Sequence, residues 1–156
     1  MTPRSAVPIT RSADRRRSRG FTMIEMMIAL AVVAVLAAIA YPNFRQSIIN
    51  GRRADGATAL TDLANRMERY YAQNNTFATA TIATGTAATD VLAAAASGQG
   101  FYTLSITAQA QHTFTIRATR AGAQTADTKC GDFTLTSAGV KGLVNNATGF
   151  TVARCW

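Results

Sequence analysis

An unbroken apolar run near the start of the chain limits the folds that are open to it. The 19 residues from 26 to 44, MMIALAVVAVLAAIAYPNF, carry no formal charge. As an α-helix this run would be ~29 Å long at ~1.5 Å per residue, close to the ~30 Å hydrocarbon core of a bilayer. The sequence therefore predicts a membrane-spanning helix over about 21–44.

The positive charge of the chain is concentrated before this run. Residues 1–20 carry +5 of the formal net charge of +8, from Asp14 and six arginines: Arg4, Arg11, Arg15, Arg16, Arg17 and Arg19. A basic protein invites a nucleic-acid interpretation, but basic residues that flank a membrane helix usually fix its orientation by staying in the cytoplasm. We therefore expect the chain after Phe44 to be exported, and we interpret 1–20 as a disordered leader that is removed.

The apolar run has three possible interpretations, and Glu25, directly before it, distinguishes between them. A secretory signal peptide, cut at an A-x-A-like site formed by Ala38, Ile39 and Ala40, and a plain membrane anchor both fit the basic and apolar segments. Neither accounts for the carboxylate, since an acidic residue in a membrane helix costs a few kcal/mol and usually marks a function. The third interpretation treats Gly20, Phe21 and Glu25 as one motif.

Helical periodicity continues beyond the apolar run and predicts an amphipathic second half. Its apolar stripe consists of Phe44, Ile48, Leu60, Leu63, Met67 and Tyr70 or Tyr71, and the charged residues between them are Arg52, Arg53, Asp55, Asp62, Arg66, Glu68 and Arg69. Gly51 and Gly56 would weaken this helix by ~1 kcal/mol each relative to alanine. The QNNT stretch at 73–76 is a plausible end, so we expect one long helix over 21–73.

The remainder, 74–156, is expected to form a globular head. Residues 90–97, DVLAAAAS, predict a short helix. Alternating apolar and polar residues at 101–107 and 113–119 predict a hairpin, with a third strand at 132–136 and a fourth at 140–144. The inward-facing residues would be Tyr102, Leu104, Ile106, Phe114, Ile116, Ala118, Phe133 and Leu135. The predicted fold class is α+β, a long helix packed on a small antiparallel sheet.

Two cysteines, Cys130 and Cys155, lie close to the end of the chain. Beyond a membrane segment such a pair suggests a disulfide in an oxidising compartment, and the alternative is two reduced, buried thiols. A head of roughly 80 residues is near the lower limit for a self-sufficient core. A bridge that closes about 26 residues would add ~3.5 kcal/mol to its stability in the chain-entropy model.

The sequence contains no recognisable catalytic, cofactor-binding or metal-binding set. It has neither a nucleophile elbow nor a glycine-rich phosphate loop, and its one histidine, His112, has no zinc-type spacing to cysteine. Asp90, Asp127 and Asp132 are too scattered to indicate a calcium site. We therefore do not expect an enzyme.

The motif GFTMIE at 20–25, behind a basic leader and before an apolar run, resembles the type III signal of type IV prepilins, G-F-T-L-x-E. The resemblance implies cleavage between Gly20 and Phe21 by a prepilin peptidase and N-methylation of the new terminus at Phe21. It also implies that Glu25 is the assembly glutamate, whose carboxylate pairs with the Phe21 ammonium of a neighbouring subunit. Such a pair in a dry helix bundle would favour one stagger between subunits.

Two further stretches carry the resemblance into the head. MERYYAQNNTF at 67–77 resembles the E-x-Y-Y-x-x-N-x-x-Y/F stretch of PilE-like pilins. CGDFTLTSAGVKG at 130–142, followed by a terminal CW, resembles their disulfide-bounded C-terminal region, whereas 78–100 matches no such pattern. The resemblance implies the type IV pilin fold and a major or minor pilus subunit, used for motility, adhesion or DNA uptake.

The same resemblance implies a location and a set of partners. The precursor would span the bacterial inner membrane with a periplasmic head, and would then enter an extracellular filament. Its partners would be other pilin subunits, the prepilin peptidase and methylase, and the inner-membrane assembly machinery.

Two related functions remain open. A type II secretion pseudopilin shares the N-terminal machinery, although the terminal disulfide region and the missing acidic cluster argue against it. A ComP-like pilin would bind DNA through its head, and Arg117, Lys141 and Arg154 are candidates for such contacts. Residues 74–156 contain only five basic against three acidic residues, so a scattered, solvated surface is the default interpretation of these charges.

The first testable prediction concerns processing. Because the basic leader ends at Gly20 immediately before an apolar helix, the mature chain should start at methylated Phe21. Intact-mass measurement of the processed protein should give the mass of residues 21–156 with one added methyl group. A mature start at Tyr41 would instead identify a secretory signal peptide.

Overall fold

The computed structural model describes residues 20–156, so the predicted basic leader lies outside the described part except for Gly20. The described residues divide into two compact units, one ending at Ala40 and the other covering Tyr41–Trp156. The first contains the start of a long helix, and the second contains the rest of that helix together with the head.

Helix α1 covers Met23–Asn74, 52 residues, which agrees with the predicted long helix. It continues through Pro42. Large apolar side chains between Met23 and Phe44 are exposed throughout. The helix ends at Asn74, within the QNNT stretch. The next residue, Asn75, has a φ of 56°, and this left-handed backbone conformation commonly ends helices.

The second half of α1 buries one face at alternating spacings of three and four residues: Arg53, Gly56, Leu60, Leu63, Met67 and Tyr70. Four of these belong to the predicted apolar stripe. The predicted stripe was wrong at its N-terminal end. Phe44 and Ile48 are exposed, whereas Arg53 and Gly56, which were not part of the predicted stripe, are buried. Burial starts only where the head begins to cover the helix.

The glycine at 56 is required by a close approach between α1 and the sheet. A Cβ at this position would lie 2.9 Å from ring atoms of Tyr102, whose side chain is fully buried. Gly56 therefore lowers helix propensity but allows the helix and Tyr102 to pack closely. Helix propensity alone predicted only the destabilising effect.

The head contains six strands: β1 (Thr81–Ile82), β2 (Asp90–Leu92), β3 (Tyr102–Gln109), β4 (Phe114–Arg120), β5 (Asp132–Thr136) and β6 (Lys141–Val144). Strands β3-β4-β5-β6 form an antiparallel sheet in sequence order, as predicted. Its core face pairs Leu104 with Ala118, and Ile116 with Leu135. The α+β class and the type IV pilin arrangement, a long helix covering a four-stranded sheet, are confirmed.

The predicted helix at 90–97 is wrong. Residues Asp90–Leu92 form strand β2, which pairs in parallel with β1. The Asp90 carboxylate accepts hydrogen bonds from the hydroxyl groups of Thr81 and Thr84 at 2.6 and 2.8 Å, and from the backbone N–H groups of Gly85 and Thr86. The backbone of 95–97 bonds to strand β3, so tertiary hydrogen bonds override the helix propensity of the alanines.

The C-terminus is fastened to the sheet. Cys130 and Cys155 form the expected disulfide, with Cα atoms 5.6 Å apart. The short helix α2, Val152–Cys155, places Trp156 against Phe133, with ring centroids 5.3 Å apart. The indole Nε1 donates to the carbonyl oxygen of Gly142 on the edge strand β6.

A buried ion pair joins α1 to the segment between β4 and β5. Arg53 donates from Nε and from its terminal nitrogen to the two carboxylate oxygens of Asp127, at 2.7 and 2.9 Å. Burial by itself would raise the pKa of Asp127. The bonds from Arg53 and from the backbone N–H of Cys130 outweigh burial, so the pKa of this carboxyl lies below its ordinary value.

We predict opposite effects for two glycine-to-alanine changes in α1. Gly56→Ala should lower the free energy of unfolding by ~1–2 kcal/mol, because the overpacking of Tyr102 costs more than the ~1 kcal/mol gained in helix propensity. Gly51→Ala is the matched control, because no atom lies within 4 Å of an added Cβ, and should stabilise the head. Urea unfolding of the full chain in detergent, followed by near-ultraviolet circular dichroism, measures both. Equal effects of the two changes would contradict the close-approach argument.

We also predict an acid-dependent loss of stability that depends on Asp127. Its folded-state pKa is depressed, so the stabilisation is fully present above the unfolded-state pKa of about 3.9 and is lost as the pH falls through the lower folded-state value. The urea midpoint of the full chain should drop in this window. Asp127→Asn should lower the midpoint at neutral pH and flatten its pH dependence, whereas Asp62→Asn, in a half-exposed pair with Arg66, should change little. An unchanged acid profile in Asp127→Asn would exclude this carboxylate as the cause.

Candidate functional site

The predicted cleavage position lies in an accessible part of the chain. Gly20 and Phe21 are exposed and precede the first helical residue, Met23. Apart from its two chain neighbours, no described residue has an atom within 4 Å of the position that a Cβ at Gly20 would occupy. The bond between Gly20 and Phe21 therefore lies outside the helix, between two exposed residues.

Glu25 takes part in a capping box that defines the start of α1. The Glu25 backbone N–H donates to the Thr22 hydroxyl at 3.2 Å, and the Thr22 backbone N–H donates to Glu25 Oε2 at 3.4 Å. This reciprocal pair satisfies two donors that the first helical turn leaves open. The helix begins at this point because the sequence T-x-x-E supplies both halves of the cap.

The Glu25 carboxylate has no charged partner among residues 20–156. It lies in the first turn of α1, where the helix dipole favours a negative charge. Its second oxygen, Oε1, accepts no hydrogen bond from the described part of the chain. Among residues 20–156, the cap therefore engages one carboxylate oxygen of Glu25 and no donor contacts the other.

The apolar run that follows exposes large side chains in every direction. Exposed residues include Met23, Ile24, Met27, Ile28, Leu30, Val33, Leu36 and Ile39. By length and composition α1 could cross a membrane, and the window that satisfies this test is entirely unburied by the chain itself. An apolar surface of this extent requires a covering, either lipid or other helices.

The C-terminal part of the head brings cations and aromatic rings together. Arg154 lies over the Phe150 ring at 4.9 Å, Lys129 lies 6.0 Å from the same ring, and Lys141 lies over Trp156 at 4.8 Å. We call Lys129, Lys141, Phe150, Arg154 and Trp156 the C-terminal basic cluster. Each pair has the geometry of a cation–π contact, and positive side chains of this kind can contact nucleic acid phosphates.

The structure separates the three residues that the sequence suggested for DNA contacts. Lys141 and Arg154 both belong to the C-terminal basic cluster. Arg117 lies on the central strand β4, and its Nε is buried without a hydrogen-bond partner. Lys129, Phe150 and Trp156 were missed, although the alternation of aromatic and basic residues in FTVARCW was a signal that could have found two of them. Within residues 20–156, no cluster of His, Cys, Asp and Glu could hold a metal ion.

Two family models match the chain. Residues 42–134 match the family described as type IV minor pilin ComP, DNA uptake sequence receptor. Residues 15–41 match the prokaryotic N-terminal methylation motif. The second match covers the Gly20–Phe21 bond and Glu25, and the first covers most of the head.

Individual relatives fall into pilus and secretion groups. The chain is 34% identical over 61 residues to the type IV major pilin protein PilA of Myxococcus xanthus, covering 39% of this chain and 28% of PilA. It is 32% identical over 69 residues to the type II secretion system core protein G of Aeromonas hydrophila, covering 42% and 46% of the two chains. The matches thus span less than half the length of these curated relatives.

A solved structure with a similar arrangement is that of a type IV pilin from Shewanella oneidensis. It is 22% identical, covers 69% of this chain and 97% of that one, and gives a TM-score of 0.45. The family itself is shown by the match over 42–134, which is more than half of the chain. The chain belongs to the type IV minor pilin ComP family, whose model describes a DNA uptake sequence receptor.

Proposed function

We propose that the chain is a structural subunit of a type IV pilus, built as a membrane precursor and then incorporated into a filament. The observation that carries this proposal is the combination of an exposed Gly20–Phe21 bond, a capped Glu25 and an uncovered apolar helix in a chain of the ComP pilin family. In this role the chain is a substrate of the processing enzyme and is not itself an enzyme.

In the precursor, the apolar half of α1 would lie in the inner membrane with the basic leader in the cytoplasm and the head in the periplasm. A leader with six arginines supports this orientation. The disulfide between Cys130 and Cys155 also fits an exported head, since such bonds persist in oxidising compartments.

Cleavage after Gly20 would create a positive charge at the Phe21 amine, and methylation would keep this charge. In a filament, the apolar halves of neighbouring subunits would replace lipid as the covering of α1. The Glu25 Oε1 atom would then accept the Phe21 ammonium of a neighbouring subunit, since each charge in a dry bundle requires a partner. The capping box would hold the Glu25 side chain in one orientation for this contact.

A secretion pseudopilus would use the same N-terminal chemistry, and the chain also has a relative among the secretion proteins, protein G. The match over 42–134 favours the pilus, because it includes most of the head and is specific to a pilin family.

A second function, DNA binding by the head, is supported by the family description and by the C-terminal basic cluster. DNA phosphates would contact Arg154 and Lys141, while Phe150 and Trp156 hold these side chains in place by stacking. Binding of this kind releases counterions and weakens steeply with salt.

For assembly, we predict that Glu25→Gln and Glu25→Ala both leave processing intact but strongly reduce the amount of the subunit in sheared filaments. Glutamine keeps the size of the side chain and an oxygen that can accept a hydrogen bond from the Thr22 N–H. This variant therefore removes the negative charge without removing the helix cap. Immunoblots of membrane and filament fractions measure the distribution. Glu68→Gln, on the same helix and exposed, is the control and should assemble normally. Normal assembly of Glu25→Gln together with failure of Glu25→Ala would assign Glu25 to capping alone.

For DNA binding, we predict that the full chain in detergent binds short duplexes with a marked salt dependence. The double change Lys141→Gln/Arg154→Gln should reduce the slope of log K against log salt by about 2, one per lost phosphate contact. Arg66→Gln/Arg69→Gln removes the same charge from the far end of α1 and should leave the slope unchanged. Equal slopes for the two double variants would remove the C-terminal basic cluster from consideration as the DNA surface.

A further inference from the structure

A cleft in the head lies beside the part of α1 that directly follows the apolar run. Arg45, Ile48, Ile49 and Arg52 line it from the helix, and Ala123 and Ala126 line it from the 3₁₀ turn Gly122–Ala126. Its volume is about 240 Å³. The lining is apolar except for the two arginines, so the cleft combines an apolar wall with cationic groups.

Among the described residues, neither arginine uses its hydrogen-bond donors in an ion pair. Arg53, Arg66 and Arg120 form ion pairs with aspartates, whereas Arg45 and Arg52 form none with residues 20–156. Arg52 stacks on the Phe101 ring with its Cζ 4.5 Å from the centroid, and the Cζ of Arg45 lies 6.0 Å from the centroid of Tyr41. Stacking occupies the face of a guanidinium and leaves its N–H edge free, which is the edge that matches phosphate oxygens.

The nearest carboxylate on the same helix face is already engaged. Asp55, one turn beyond Arg52, accepts hydrogen bonds from the Ser97 hydroxyl at 2.6 Å and from the Gln99 backbone N–H at 3.1 Å. Asp127 is buried in its pair with Arg53. The cleft therefore presents positive charge without an internal anion to neutralise it.

The cleft begins, along the helix, at the height of the lipid headgroups and extends a few ångströms beyond them. Arg45 directly follows Phe44, the last residue of the uncharged run. At ~1.5 Å per residue, Arg52 lies ~12 Å beyond Phe44 along the helix. The headgroup layer extends about 5–8 Å beyond the hydrocarbon. Long arginine side chains can reach back toward that layer. Arginines just outside the exported end of a membrane span also run against the usual charge bias for orientation.

We infer that this cleft binds the phosphate headgroup of an anionic lipid in the outer leaflet of the inner membrane. The two guanidinium edges contact the phosphate, and Ile48, Ile49 and the two alanines cover the glycerol and upper acyl carbons. The bound lipid fixes the height and rotation of the head above the membrane before assembly. This inference depends on membrane insertion of the apolar run but not on entry of the subunit into a pilus.

The test is native mass spectrometry of the full chain released from detergent micelles that contain equal amounts of phosphatidylglycerol and phosphatidylcholine. The wild-type chain should retain phosphatidylglycerol preferentially. Arg45→Gln/Arg52→Gln should lower this preference about thirtyfold, since each arginine near an anionic lipid surface contributes ~1 kcal/mol and ~1.4 kcal/mol corresponds to a factor of ten. Arg66→Gln/Arg69→Gln is the charge-matched control and should retain the wild-type preference. Equal retention by the two double variants overturns the inference.

A second variant distinguishes loss of lipid binding from a change in folding. Ile48→Glu places a negative charge in the cleft at a position that is already 38% exposed, and it should lower the preference to the same extent as the double change. Near-ultraviolet circular dichroism and incorporation into liposomes should match wild type for both variants. A normal fold and normal insertion with undiminished phosphatidylglycerol retention in Ile48→Glu would also overturn the inference.

Competition identifies the source of the phosphate. Excess inorganic phosphate or a short DNA duplex should leave lipid retention largely unchanged, because neither ligand can use the apolar wall of the cleft. Displacement of phosphatidylglycerol by inorganic phosphate would show a general anion site, and displacement by the duplex would show a DNA surface. Either displacement would contradict the assignment to a lipid.

Discussion

The head depends on the contact between the second half of α1 and the sheet at Tyr102. The ring lies against the Cα of Gly56 and stacks on Phe133 at 5.5 Å. Its hydroxyl accepts a hydrogen bond from the Gln124 amide at 3.2 Å, and the same amide nitrogen lies 3.3 Å from Asp127 Oδ2. Burial raises the pKa of Tyr102 to about 12, so this phenol stays neutral in its site. One buried network thereby connects the helix, the sheet and the segment that leads to Cys130.

This arrangement lets one continuous helix serve two environments. Beyond Arg53 one face of the helix is part of the folded core of the head. Before Phe44 it has an exposed apolar surface that the described chain does not cover. Lipid and the helices of other subunits can both cover such a surface, because neither demands a specific polar contact along it. The charged groups at Phe21 and Glu25 would then supply the specificity that apolar packing lacks.

Features that depend on neighbouring residues could be predicted from the sequence. The strands at Tyr102–Gln109, Phe114–Arg120 and Asp132–Thr136 follow from alternation, and the start of α1 follows from the spacing of Thr22 and Glu25. Features that depend on tertiary partners could not. Arg53 has the sequence context of an exposed helix residue, and only the fold brings it to Asp127, 74 positions away. The Asp90 hydrogen bonds and the arginine-lined cleft were missed for the same reason.

The proposal that the apolar half of α1 exchanges lipid for other pilins can be tested directly with a photo-crosslinking amino acid at Ile28. The side chain is exposed and lies within the apolar run, which lipid would cover in the precursor and other helices would cover in the assembled subunit. After irradiation of cells and shearing, the account predicts that filament fractions contain adducts between this chain and the apolar segment of another pilin. An Ile28 probe that yields adducts only in the membrane fraction, with none of the chain in sheared filaments, would contradict it.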